Sequence, residues 1–178
     1  MRVSADGGPA QTVVTGRFVD IFCARSPSTV CLLAEESSDP QKLALFTLDP
    51  INGRGRELLQ VDRVMIVLSP DGTRVALCNG SSTVRIVSLA DQSVREVTIK
   101  GWNSLDYLEW ANDSKGIYAS SAPQGGGVLL YSDLNGNAHV IWEHQGSLAT
   151  SGIPSPDGRH IAMEGWNLSS NVWMMENF

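Results

Sequence analysis

An all-β chain of small antiparallel sheets, repeated along its length, is predicted by three observations. The phrase SPDGTRVAL at Ser69–Leu77 returns almost intact as SPDGRHIAM at Ser155–Met163. Two looser copies, SPST at Ser26–Thr29 and ANDS at Ala111–Ser114, hold the same place in the local pattern. The second residues of these turns, at 27, 70, 112 and 156, are therefore spaced by 43, 42 and 44. Between the turns, short runs of β-branched and aromatic residues alternate with clusters of Gly, Asn, Asp, Ser and Pro. A period of this length with four strands per unit is the signature of a β-propeller, in which four-stranded blades pack radially around a channel. About four blades are expected here, as part of a larger propeller.

The units follow in order. SADGGPAQTVV at Ser4–Val14 matches DLNGNAHVIW at Asp133–Trp142, so residues 1–16 read as a partial blade that ends in a fourth strand. Full blades are expected at 17–60, 61–100, 101–145 and 146–178, the last ending on NVWMMENF as a third strand. In the second blade the strands are RVMIVLS, TRVALCN, TVRIVSL and SVREVTI; in the third, DYLEWA, GIYASSA, GVLLYSDL and AHVIWE. Pro-Asp-Gly joins the first two strands of a unit because proline presets φ and glycine takes the φ > 0 position that closes a hairpin. Asp71 and Asp157 are thus expected to satisfy turn backbone rather than to catalyse. Ser28–Thr29 and Asp113–Ser114 replace Asp-Gly, so those two turns are expected to close differently. Runs such as MIVL and VLLY are apolar on both faces, as stacked sheets require and a half-solvated sheet does not. A β-sandwich would not need the same turn chemistry at a fixed period.

Composition excludes several functions. The net charge is −6 with no basic cluster, which removes the electrostatic footprint of a nucleic-acid surface. No run reaches the roughly 18 apolar residues of a membrane span, and MRVSADGGPA lacks the apolar stretch of a signal peptide. Cys23 and Cys31 flank a hairpin turning near Pro27–Ser28, in a register expected to set Cys23 opposite residue 32 or beyond. That argues against a disulfide. With Cys78, both read as small buried hydrophobes.

Catalytic and metal motifs are missing: there is no G-x-S-x-G, H-E-x-x-H, C-x-x-C, phosphate loop or EF-hand loop. No cofactor and no metal are expected. Gly125–Gly127 reads as a flexible link between strands, and His139, His144 and His160 as surface or edge residues. The inner strands IFCAR, MIVLS, YLEWA and LATSG offer only Arg25 and Glu109, too few for an enzyme site in the channel. The candidate binding residues are Trp102 and Asn103 in GWNS, echoed by Trp166 and Asn167 in GWNL. Both pairs are expected in loops of one rim, as an aromatic, hydrogen-bonding surface for a peptide or sugar. The loop Glu36–Lys42 is expected on that same rim.

The SPDG hairpin with its following apolar strand, and the strand endings FTLDP, VSLAD and YSDLNG, resemble the WD-like repeats of bacterial TolB-type propellers. The final SSNVWMMENF is similar to the ends of bacterial proteins that join such a propeller to a kinase or winged-helix domain. The resemblance implies a non-catalytic module that scaffolds or senses through a protein, peptide or small ligand, with an extracytoplasmic or periplasmic location. Pairing of two copies through bare blade edges is a further expectation. The alternative is an accessory propeller segment of a larger enzyme, such as a prolyl-oligopeptidase-type hydrolase.

Overall fold

The computed structural model describes residues 1–122, 126–146 and 149–166. Its first sheet joins β1 (Phe18–Cys23), β2 (Cys31–Glu36), β3 (Lys42–Asp49) and β4 (Gly53–Asp62). The second joins β5 (Met65–Leu68), β6 (Arg74–Cys78), β7 (Thr83–Ser88) and β8 (Val94–Thr98). The third joins β9 (Tyr107–Trp110), β10 (Gly116–Ser121), β11 (Gly126–Asp133) and β12 (Ala138–Gln145). Each is an antiparallel meander in chain order, and β13 (Ala149–Pro154) pairs with β14 (Ile161–Trp166) in a two-stranded sheet. No helix occurs among the described residues.

The two-sided apolar strands explain how the sheets stack. Side chains alternate across a strand, so the second sheet sends Ile66, Leu68, Val75, Leu77 and Val87 one way and Ala76, Val84, Ile86 and Val97 the other. The first set packs on Leu32, Ala34, Leu43 and Leu45 of the first sheet. The second set packs on Leu108, Trp110, Ile117, Ala119 and Leu130 of the third. Each fully buried Leu, Ile or Val contributes roughly 1.5–3 kcal/mol, and these two layers form most of the core. Successive first strands lie side by side, β1 by β5, β5 by β9 and β9 by β13, which is the convergence of inner strands on a propeller axis. The fold is an all-β assembly of propeller blades.

The outer strands lock the same arrangement. The turn between β11 and β12 docks on β8: Arg95 donates to the Leu134 carbonyl at 2.7 Å, Lys100 Nζ to Asn137 Oδ1 at 2.8 Å, and the Lys100 amide to the Gly136 carbonyl at 3.0 Å. One sheet earlier, Gln92 Nε2 donates to the Leu58 carbonyl at 2.7 Å. Before the first sheet, Val13 lies against Gly53 and Val14 packs on Leu33, Ala44 and Phe46.

Three expectations are corrected. Cys23 and Cys31 form a disulfide, with Cα atoms 4.1 Å apart. The Ala24 amide bonds the Val30 carbonyl at 2.8 Å, which closes a loop tight enough to set Cys23 directly opposite Cys31. Because 24 and 30 are the hydrogen-bonded pair, 23 and 31 are the closer-spaced pair between bonds. Cys23 is also exposed, whereas Cys31 and Cys78 are buried as expected. The second correction concerns Ala111–Ser114, which closes as the Pro-Asp-Gly turns do: Ser114 holds φ +57°, beside +73° at Gly72 and +68° at Gly158. The first turn does differ, with a cis Ser26–Pro27 bond and closure from the Ser28 amide to the Arg25 carbonyl. Third, Gly126 and Gly127 open β11 opposite Gln145 and His144 rather than forming a free link. Gly125, Leu148 and the NVWMMENF stretch lie outside the described residues.

Candidate functional site

The repeated turns build one end of the channel, and their chemistry is local. Ser69 Oγ donates to Asp71 Oδ1 at 2.6 Å and accepts from the Arg74 amide at 2.9 Å; Asp71 Oδ1 accepts from the Thr73 amide at 2.9 Å and hydroxyl at 2.7 Å. Ser155 and Asp157 repeat the pattern, at 2.6 Å between the side chains and 3.0 Å from the His160 amide. Burial alone would raise the Asp71 carboxyl, but the bonds from Ser69 and Thr73, with Arg74 nearby, hold it at about 2. A carboxyl depressed from its ordinary 3.8 contributes stability above that pH, which is lost as pH falls toward about 2. Asp71→Asn is therefore expected to lower the melting temperature at pH 7. Melts taken across an acid series should show the gap narrowing below pH 3.8 and closing as pH approaches about 2.

The four turns are tied to one another. The Arg25 amide donates to the Pro70 carbonyl at 2.9 Å. Arg74 Nη2 donates to the Ser114 carbonyl at 2.7 Å, and the Asp71 amide to Ser114 Oγ at 3.3 Å. Asn112 Nδ2 donates to the Pro156 carbonyl. Arg25 then spans the ring of turns, its Nη1 donating to Asn112 Oδ1 at 3.1 Å and to the Pro154 carbonyl at 3.0 Å. Among these turns, Arg25 alone reaches both the third and the fourth sheet.

Beside it lies the chemistry of the channel. A cavity of about 170 Å³ is lined by Phe22, Cys23, Arg25, Pro70 and Glu109. A more apolar one of about 290 Å³ runs along β1, β5 and β9 past Phe22, Ile66 and Tyr107. Glu109 is half-buried, and its carboxylate accepts the Trp110 amide at 3.0 Å. Burial raises its pKa, against partial opposition from that bond and from Arg25. Burial, then Glu109, pushes Tyr107 to about 12. A raised carboxyl disfavours the ionised folded state, so Glu109 costs stability once pH rises above the ordinary value of 4.5. Glu109→Gln is expected to melt higher than the parent at pH 7, with the gap closing near pH 4.5. Equal melting temperatures at both pH values would contradict it.

The residues singled out in the sequence fall elsewhere. Trp102 is half-buried and packs on the core shared by the second and third sheets, while Asn103 beside it is exposed. Trp166 is the last residue of β14, paired with Ala149, rather than a loop residue. Asn167 lies outside the described residues. Trp102 belongs to the linker before the third sheet, and Trp166 ends a strand of the fourth. The loop Glu36–Lys42 is held at its base by Arg63, which reaches the Pro40 carbonyl at 2.8 Å and Glu36 at 3.2 Å. The shared cavity of Arg25 and Glu109 is the feature that sequence reading set aside as too few charged residues for a site. Its only signal was that these are the charged residues of the four inner strands.

Comparison with solved structures agrees with the propeller architecture. The chain is similar to TolB from Acinetobacter baumannii, with a TM-score of 0.68 and 19% identity over 95% of this chain and 43% of that one. It is also similar to the Kuenenia stuttgartiensis hydrazine synthase, with a TM-score of 0.55 and 14% identity over 80% of this chain and 42% of that one. The chain thus spans less than half the length of either. No protein-family model and no curated protein sequence matches it.

Proposed function

We propose that this chain is a non-catalytic propeller module that binds a protein or peptide partner at the turn-side mouth of its channel. The observation that carries the reading is the meeting of Arg25, Glu109 and Tyr107, all half-buried, beside cavities lined by Phe22 and Pro70. An aromatic and apolar wall with a few convergent polar groups is what a bound segment needs for affinity and orientation. Opposite charges in one cleft select a segment that carries both signs. The similarity to TolB supports an interaction role, and an oxidised Cys23–Cys31 pair supports an extracytoplasmic location. The competing reading is a surface made by Trp102, Asn103, Trp166 and Asn167.

A random-peptide display against the whole protein, followed by fluorescence anisotropy on selected peptides, tests this. Glu109→Gln combined with Arg25→Ala is expected to weaken binding at least about tenfold, or roughly 1.4 kcal/mol, while Asn103→Ala leaves it unchanged. Loss with Asn103→Ala alone would move the surface to that competing set and overturn the reading.

A further inference from the structure

The Cys23–Cys31 disulfide sits where it can act on Arg25. It closes the base of the turn that carries Arg25, two residues beyond Cys23, and β1 is an edge strand paired only with β2. The two cysteines differ in exposure: Cys23 is an exposed residue, whereas Cys31 is 8% exposed. From that turn Arg25 bonds Pro70 in the second sheet, Asn112 before β10, and Pro154 at the end of β13. Among the described residues, β13 turns Thr150 and Gly152 toward the third sheet, where Gly152 meets the Leu129 side chain. Across the turns, Asn112 and Arg25 make the polar attachment of the fourth sheet. The β1–β2 ladder continues from Phe22–Leu32 to Phe18–Glu35 without the disulfide. The cross-link encloses a short loop, which gives less stabilisation than a long one.

We propose that Cys23–Cys31 is a thiol–disulfide exchange site whose redox state sets how firmly Arg25 holds the fourth sheet. A thiolate of an external dithiol attacks Cys23 Sγ, the sulfur of the more exposed cysteine. The Sγ–Sγ bond breaks, and Cys31 leaves with the electron pair and takes a proton. The second thiolate of the dithiol then attacks its own sulfur in the mixed disulfide, and Cys23 leaves and is protonated in turn. The protein gains two electrons and two protons, and the dithiol becomes a disulfide. In the reduced protein the turn is held by its backbone bonds alone, Ala24 to Val30 and Ser28 to Arg25, and Arg25 holds Asn112 and Pro154 less firmly.

The test uses the whole folded protein and dithiothreitol as the dithiol. Native-state reduction is followed by alkylation and peptide mapping, with buried Cys78 as the internal control. Glutathione, a monothiol, is used to trap the mixed disulfide. The adduct is expected on Cys23 and not on Cys31, with far-UV circular dichroism unchanged. Amide hydrogen exchange over 149–166 should accelerate at least about tenfold on reduction. The Cys23→Ser, Cys31→Ser double variant should reproduce that acceleration, as should Arg25→Ala with the disulfide intact, and reducing the Arg25→Ala protein should add nothing. Reduction that needs global unfolding, an adduct on Cys31, or unchanged exchange over 149–166 would each overturn the proposal.

Discussion

Replacing Trp110 by alanine is expected to cost about 3–5 kcal/mol, the range for removing a buried Trp from a core. The side chain has no exposed surface and stands between the second and third sheets. Its indole Nε1 donates to the Val67 carbonyl of β5 at 3.1 Å, and the Arg74 guanidinium lies 4.9 Å from its ring centre. Truncation opens a cavity, removes the bond and frees Arg74 from one of its two anchors across this interface. Against a typical total of 5–15 kcal/mol, that loss leaves a protein close to unfolding at ordinary temperature. Trp110→Phe separates the contributions. It keeps much of the apolar volume but leaves the Val67 carbonyl without its partner, at a cost of about 1–3 kcal/mol. Urea denaturation of the three proteins measures both. Trp110→Ala within 1 kcal/mol of the parent, well under the expected range, would show that the two sheets do not share this core.

Gly136→Ala carries the second large effect. Gly136 sits at φ +78°, a left-handed conformation that costs a residue with Cβ about 1–3 kcal/mol when enforced. The added Cβ would also run into the Thr98 carbonyl oxygen of the preceding sheet. Backbone cannot yield as a side-chain end does, so the turn must lift from β8. Its bonds from Arg95 and Lys100 are then disturbed with it. Gly101→Ala is the matched control, since Gly101 has φ +84° but nothing within 4 Å of the new Cβ. Both variants bear the backbone strain, and only Gly136→Ala bears the collision. Thermal melts should therefore place Gly136→Ala clearly below Gly101→Ala. Equal melting points would mean that the turn is not docked.

The architecture was legible because its cause is local. Pro-Asp-Gly carries a turn mechanism in its own atoms, and Ser69–Asp71 and Ser155–Asp157 show the same bonds. The two-sided apolar run Met65–Leu68 announced stacking on both faces, and Ile66 and Leu68 pack one way while Met65 and Val67 pack the other. What failed was finer. Ser114 takes the glycine position because its hydroxyl and carbonyl are bonded by the neighbouring turn, a tertiary effect that its own segment does not display. The Cys23 register depended on the length of one loop to a single residue. The shared channel cavity was harder still. Arg25 and Glu109 are far apart in sequence and meet through the convergence of β1 and β9, so no spacing could mark them.

The most direct test of the stacked sheets is the nuclear Overhauser contact of the Trp110 indole. Cross-peaks from its ring and Nε1 proton to Val67 of β5, with slow exchange of that proton, are predicted from the 3.1 Å bond across the two sheets. An indole proton that exchanges at the solvent rate and sees only its own sheet would contradict the arrangement.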